Sequence, residues 1–306
     1  MSAPRGQCPV CRYSYRLRSA GAMQRHHGYS GRDPLPDCRG SGMMPLLMPP
    51  SPGLAKLASL EPRRIAVAGD FHGNTRHVLG VIRAAQRLLR GEDWPLIVQL
   101  GDFGIWPGRE GAAYLRSVEE ECTRRKVRIW FIDGNHEDFT QLESLRHLGP
   151  VRWLPRGTRW NWHGRTWLAL GGGVSLDRAV RTEGRDWWPE EEITGEQAAG
   201  VIAGGPVHVL VSHDVPSGVV HTFPPPPSFW DLRDLARNDA HRERLQGVVS
   251  AVRPGWLLHG HLHRSYQRVT DLGYGPVEVT GLDRDEGDGL NWAVLDVKRM
   301  AWTDAG

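Results

Sequence analysis

An α/β fold with a separate small module at its front is predicted by three features of this 306-residue chain. Strand and helix signals alternate from residue 64 to about 148. Buried strands repeatedly end in polar, metal-capable residues. A Cys-bearing segment precedes a Pro-rich stretch.

RRIAVAG reads as a buried strand from its length and β-branched content. RHVLGVIRAAQRLLR follows with Val78, Val81, Ile82, Ala85, Leu88 and Leu89 on one helical side. PLIVQLGD is a second strand, AAYLRSVEEECTRRK a second amphipathic helix, VRIWFIDGN a third strand and DFTQLESLRHL a third helix. This order implies parallel strands joined by helical crossovers. RWNWHGRTWLALGGG then predicts a hairpin turning at His163-Gly164, followed by a loop-rich segment. ITGEQAAGVIAG predicts a helix beginning near Thr194, PVHVLVSHD a buried strand and PPPPSFW an irregular loop. DLRDLARNDAHRERLQGVVSAV is mostly helical, GWLLHGHLHR runs from a strand into histidines, and PVEVTGL and NWAVLDV close as strands. The second half is therefore richer in antiparallel pairing.

Net charge is +3, unevenly spread. Residues 1–45 hold Arg5, Arg12, Arg16, Arg18, Arg25, Arg32 and Arg39 against Asp33 and Asp37, a local charge of +5. Such an arm suits nucleic acid or acidic partners, or is simply a solvated basic face. The N-terminus lacks the apolar core of a signal peptide, and MMPLLMPPSPGLAKLASL is broken by Pro and Lys and too short to span a bilayer. Three of the four cysteines fall in the first 38 residues, unlike a framework of disulfides, so a reducing, cytoplasmic setting with no membrane partner is expected.

The chemistry concentrates at strand ends. The first strand ends in Asp70 and His72, the second in Asp102 and the third in Asn135, His136 and Glu137. Later strands end in His213 and Asp214, and in His261 and His263. Parallel strands bring such ends to one edge, where ligands bind in open α/β sheets. Hard oxygen donors mixed with imidazoles, without thiolate, suit Mn, Fe or Zn. The donors are too many for one ion, whereas two divalent ions sharing a carboxylate fit them.

The ordered set GDFHGN, GDFG, GNHED, VSHD and GHLH resembles the calcineurin-like metallophosphoesterase superfamily, over roughly residues 64–298. The resemblance implies two packed mixed β-sheets flanked by helices, a four-layer sandwich. It implies that Asp70, His72 and His263 hold one metal, that Asn135, His213 and His261 hold the other, and that Asp102 bridges both. His136 would face the substrate, stabilising phosphoryl oxygens or protonating the leaving group. The implied enzyme is a dinuclear metal-dependent phosphoesterase in which a metal-bridging hydroxide attacks a phosphomonoester or phosphodiester. Protein phosphatases of this superfamily carry GD-x-x-D-R-G; GDFGIWPG lacks that acid and that Arg, which counts against a protein substrate. The basic arm favours nucleotide or nucleic-acid substrates. A rival reading is a nucleic-acid or protein-binding factor that uses the phosphoesterase body as a scaffold.

Outside the motifs, Arg178, Arg181 and Arg185 precede Trp187-Trp188. They read either as substrate-binding groups or as a surface loop pinned by aromatic packing. Asp133 and Asp214 read as partners of the ligands or as solvated loop acids, the latter preferred for Asp214. Cys8 and Cys11, with His26 (or His27) and Cys38, have the donor types of one closed structural zinc site, which would supply much of the folding energy of so small a segment. The expected organisation is a zinc-binding module at 1–44, a Pro-rich linker at 45–63 with a short helix at 54–60, and a phosphoesterase domain at 64–300. Oligomeric state is not legible in the sequence.

Overall fold

The computed structural model describes residues 5–7, 14–16, 27–29, 34–37, 61–142, 145, 149–221 and 230–303. The chain divides into two compact units, Met1–Ala55 and Lys56–Gly306. In the first, β1 (Arg5–Gln7) pairs antiparallel with β2 (Ser14–Arg16), and β3 (His27–Tyr29) with β4 (Pro34–Asp37). Cys8, Cys11, His26 and Cys38 lie outside the described residues, as does the helix expected at 54–60.

The second unit holds two six-stranded mixed sheets. One has a parallel centre of β5 (Arg64–Ala68), β6 (Leu96–Gln99), β7 (Arg128–Phe131) and β8 (Val151–Trp153). β15 (Trp292–Asp296) and β16 (Ala301–Thr303) add to it antiparallel. The other begins with the hairpin β9 (Arg159–Trp162) and β10 (Arg165–Leu170), turned at His163-Gly164 with φ of 50° and 74°. β11 (Val209–Ser212), β12 (Trp256–His259) and β14 (Pro276–Gly281) continue it in parallel, and β13 (Tyr266–Asp271) pairs antiparallel with β14.

Side-chain alternation along the strands explains the layers. Ala66, Ala68, Ile97, Ile129 and Phe131 pack with Val78, Val81, Ile82 and Ala85 of α1 (Thr75–Leu88) and with Val118 and Cys122 of α2 (Gly108–Arg125). Asn74 caps α1, its side chain accepting from the His77 N–H. Trp130 lies on the opposite face of β7 and stacks on Trp162 at 5.5 Å between ring centroids; Trp160 and Trp167 complete a buried aromatic layer between the sheets. Beyond the second sheet, α4 (Gly195–Ala203) and α5 (Leu232–Val252) cover Leu168, Leu170, Leu210 and Leu257. Thr194 and Gln197 form a capping box at the start of α4. The third expected helix is described only as α3 (Phe139–Leu142). The three-residue strands β8 and β16, and the largely polar six-residue β13, carry too little apolar pattern to be read in advance.

Candidate metal centre

The two parallel centres bring their C-terminal loops together. Four of the predicted site residues hold left-handed backbone: His72 (φ 42°), Asp102 (φ 54°), His261 (φ 62°) and His263 (φ 49°). Such conformations cost energy outside glycine and cluster where side-chain aim is overdetermined. Close approach also dictates residue type. A Cβ at Gly134 would overlap the Asp102 carboxylate, and one at Gly101 would overlap the His213 ring.

Among the described residues two groups of donor atoms result, each with all atoms within 4.8 Å of one another. One is Asp70, His72 and His263; the other is Asp70, Asp102 and His213. His263 Nε2 is 3.1 Å from Asp70 Oδ2, and His72 Nε2 is 3.4 Å from Asp102 Oδ2. His213 Nε2 lies 3.5 Å from Asp102 Oδ1 and 3.1 Å from Asn135 Oδ1. The His261 ring stands beside the second group, 4.8 Å from that of His213.

The donor set fits cations. Asp70 Oδ2 is buried and makes no aligned hydrogen bond, its near neighbour being His263 Nε2 at 3.1 Å, and a cation held by the two would satisfy it. His213 Nδ1 donates to the Leu100 carbonyl at 2.8 Å, which leaves Nε2 as the nitrogen that faces Asp102 and Asn135 and would be offered to a cation. Burial disfavours charge on His72, yet Asp102 and Asp285 outweigh it and push the imidazole up to about 11. Burial is likewise outweighed by Asp102 at His213, which rises to about 10. Burial also opposes ionisation of Asp102, but His136 and His213 hold its carboxyl well below the usual range. These shifts express negative charge that draws positive charge inward. Cations would displace those protons, so binding releases protons. His261, where burial dominates, falls to about 4 and stays a neutral donor.

His136 borders this centre. Its backbone N–H donates to Asp102 Oδ1 at 3.0 Å, and its Nε2 lies 3.9 Å from Asp102 Oδ2 and 3.1 Å from Asn135 Nδ2. Asn135 Nδ2 donates to Ser175 Oγ at 3.1 Å, and Ser175 donates to Glu191 at 2.6 Å, which leaves Asn135 Oδ1 aimed at His213.

The neighbouring acids are not loop groups in solvent. Asp214 corrects the preferred expectation: it is fully buried, 3.0 Å from His241 Nδ1 of α5, with its other oxygen 4.0 Å from His261 Nε2. The strand end pulls it inside, where His241 balances it. Asp133 is also buried and receives Trp153 Nε1 and Arg156. Glu137 accepts the backbone N–H groups of Phe103 and Gly134, tying two motif loops together.

The three loop arginines separate. Arg178 lies 4.3 Å over the Trp187 ring and 3.8 Å from Asp234, and Arg185 is exposed. Arg181 is held by both oxygens of Asp177 at 2.6 and 2.7 Å, and its charge acts on Asp102 and His136. Trp187 and Trp188 are buried, as the pinned-loop reading expects. Asp285, which sequence reasoning missed, sits 2.8 Å from His72 Nδ1.

No curated protein matches the chain. Among solved structures it is similar to a phosphopantetheinyl hydrolase from Mycobacterium tuberculosis, at 14% identity and TM-score 0.41, covering 74% of this chain and 92% of that one. It is also similar to nuclease MPE from Pseudomonas putida, at 14% identity and TM-score 0.28, covering 78% of this chain and 85% of that one. The family model for calcineurin-like phosphoesterases matches residues 63–265, a span that contains all five strand-end motifs and both donor groups. The chain therefore belongs to the calcineurin-like phosphoesterase family and is a metal-dependent phosphoester hydrolase.

Proposed function

We propose that two divalent ions, drawn from Mn, Fe and Zn, work at this centre on a phosphomonoester or phosphodiester. Asp70, His72 and His263 would hold one, Asn135, His213 and His261 the other, and Asp102 would face both. The observation that carries this reading is that the two donor groups adjoin through Asp70, while the two oxygens of the buried Asp102 face His72 at 3.4 Å and His213 at 3.5 Å, one from each group. Bound cations lower the pKa of water to about 7 and neutralise developing phosphoryl charge. The chain's own residues supply the rest. Asp102 and Asp70 fix the negative charge that retains the ions. His136 faces the substrate and delivers a proton to the departing oxygen. The test is hydrolysis of chromogenic monoesters and diesters by metal-stripped protein reloaded with Mn, Zn, Fe or Mg. Turnover that returns with one of the first three supports the reading, and metal-independent or absent turnover contradicts it.

Arg181 is taken as the substrate-binding member of the arginine trio, because it is half-buried and its pairing with both oxygens of Asp177 preorganises the guanidinium. Arg181→Ala should raise KM about ten- to a hundredfold, the worth of a hydrogen bond to a charged group. Arg185→Ala, at an exposed position, should leave KM unchanged. A steady-state comparison of the two variants decides this.

Nucleotide or nucleic-acid substrates are favoured by the basic arm and by Trp106. That indole is 39% exposed, and its Nε1 donates to the His136 carbonyl at 3.1 Å, which leaves an aromatic surface beside the centre. Residues 1–44 form a structural zinc module through Cys8, Cys11, His26 and Cys38, joined by a linker at 45–63 to a phosphoesterase domain at 64–300. The cytoplasm is the proposed location. Among the described residues no helix is long and apolar enough to cross a membrane.

A further inference from the structure

The family match ends at residue 265, yet the chain returns to the metal centre after β14. The loop 282–291 is fastened to the first motif through several bonds. Gly69 N–H donates to the Asn291 carbonyl at 2.7 Å, Asn291 Nδ2 donates to the Asp70 carbonyl at 3.1 Å, and Asp285 N–H donates to the same carbonyl at 2.8 Å. At the loop's apex, Asp285 is largely buried, with its side chain 11% exposed. Its Oδ1 is 2.8 Å from His72 Nδ1, and its Oδ2 accepts Asn74 Nδ2 at 2.9 Å. Asn74 is itself the cap of α1. Both carboxylate oxygens are thus fixed before any substrate arrives.

We infer that Asp285 is the positioning residue for His72, and that loop 282–291 thereby sets the affinity of the site formed by Asp70, His72 and His263. The inference rests on the two-metal reading above. An imidazole offers one lone pair only when its other nitrogen carries the proton. Asp285 accepts the Nδ1 hydrogen bond at 2.8 Å, so the ring is turned with Nε2 toward Asp70 and Asp102, where a cation that displaces the Nε2 proton would meet its lone pair. The carboxylate also fixes the ring plane and makes the ring a stronger donor, and loss of such partners costs ten- to a hundredfold in metal affinity. His213 takes its corresponding bond from the Leu100 backbone instead, so the second site does not depend on Asp285.

The test is calorimetric titration of the metal-stripped, full-length protein with Mn2+, a hard ion poorly matched to the N-terminal thiols. The wild type is expected to take two ions per chain. Asp285→Ala should weaken one site about ten- to a hundredfold and leave the other within about twofold. Asp285→Asn keeps an acceptor oxygen without the charge and should lose measurably less than Ala. Asp288→Ala, at an exposed position of the same loop, should change neither site. Two unaltered sites in Asp285→Ala, or equal weakening of both, would overturn the assignment. If Asp285→Ala fails to fold by circular dichroism, the Asn variant decides: selective weakening of one site supports the assignment, and wild-type binding overturns it. A wild-type protein that binds fewer than two ions contradicts the two-metal reading itself, a result separate from failure of the variant alone.

Discussion

Asp102→Asn is expected to fold, to bind one metal ion fewer per chain, and to lose about a thousandfold or more in kcat/KM. The carboxylate is 1% exposed and surrounded by donors on both oxygens. Oδ2 faces His72 Nε2 at 3.4 Å, and Oδ1 faces His213 Nε2 at 3.5 Å while accepting the His136 N–H. An amide has nearly the same shape but no charge, and only one of its two polar atoms can accept. It therefore cannot serve two cations at once. The left-handed backbone at this position tolerates Asn about as well as Asp, so loss of function should not follow from loss of fold. Elemental analysis of the purified variant, beside a melting curve, separates the two. Full metal content with full turnover would remove Asp102 from its proposed place.

His136→Ala should give the opposite pairing of results. Both ions stay, because no donor in either group belongs to His136. Turnover falls about a hundred- to ten-thousandfold, the usual worth of a positioned general acid. Burial pulls this imidazole below its ordinary value, with Asp102 pulling the other way. The loss should also depend on the leaving group. An aryloxide departs readily without a proton, so chromogenic aryl esters should suffer least, while alkyl esters should suffer most. A uniform loss across leaving groups would mean that His136 holds the phosphoryl group rather than delivering a proton, and loss of metal would make it a ligand.

The strand ends were legible because burial on both faces leaves long apolar runs, and a polar residue at the end of such a run has few reasons to be there. The separate members of the site could be named from GDFHGN, GDFG, GNHED, VSHD and GHLH. The surroundings could not. Asp285 is 213 positions from His72 and sits in DRDEGDG, where one acid among four carries no distinguishing pattern. Asp214 looked like a loop acid because its counter-group, His241, comes from a helix 27 residues away. Glu137 and Asp133 are fixed by backbone N–H groups and by Arg156, contacts that no periodicity encodes. The arginine trio shows the same limit from another side. Residue type alone suits phosphate contact for all three, but only tertiary packing distinguishes Arg181, held by both oxygens of Asp177, from Arg178, stacked on Trp187.

The most direct test is anomalous diffraction from crystals of the full-length protein grown with Mn2+. Two peaks about 3.5–4 Å apart, with the Asp102 carboxylate between them, are predicted. A single peak would contradict the two-metal centre, and two peaks that do not share Asp102 would contradict the place given to that carboxylate.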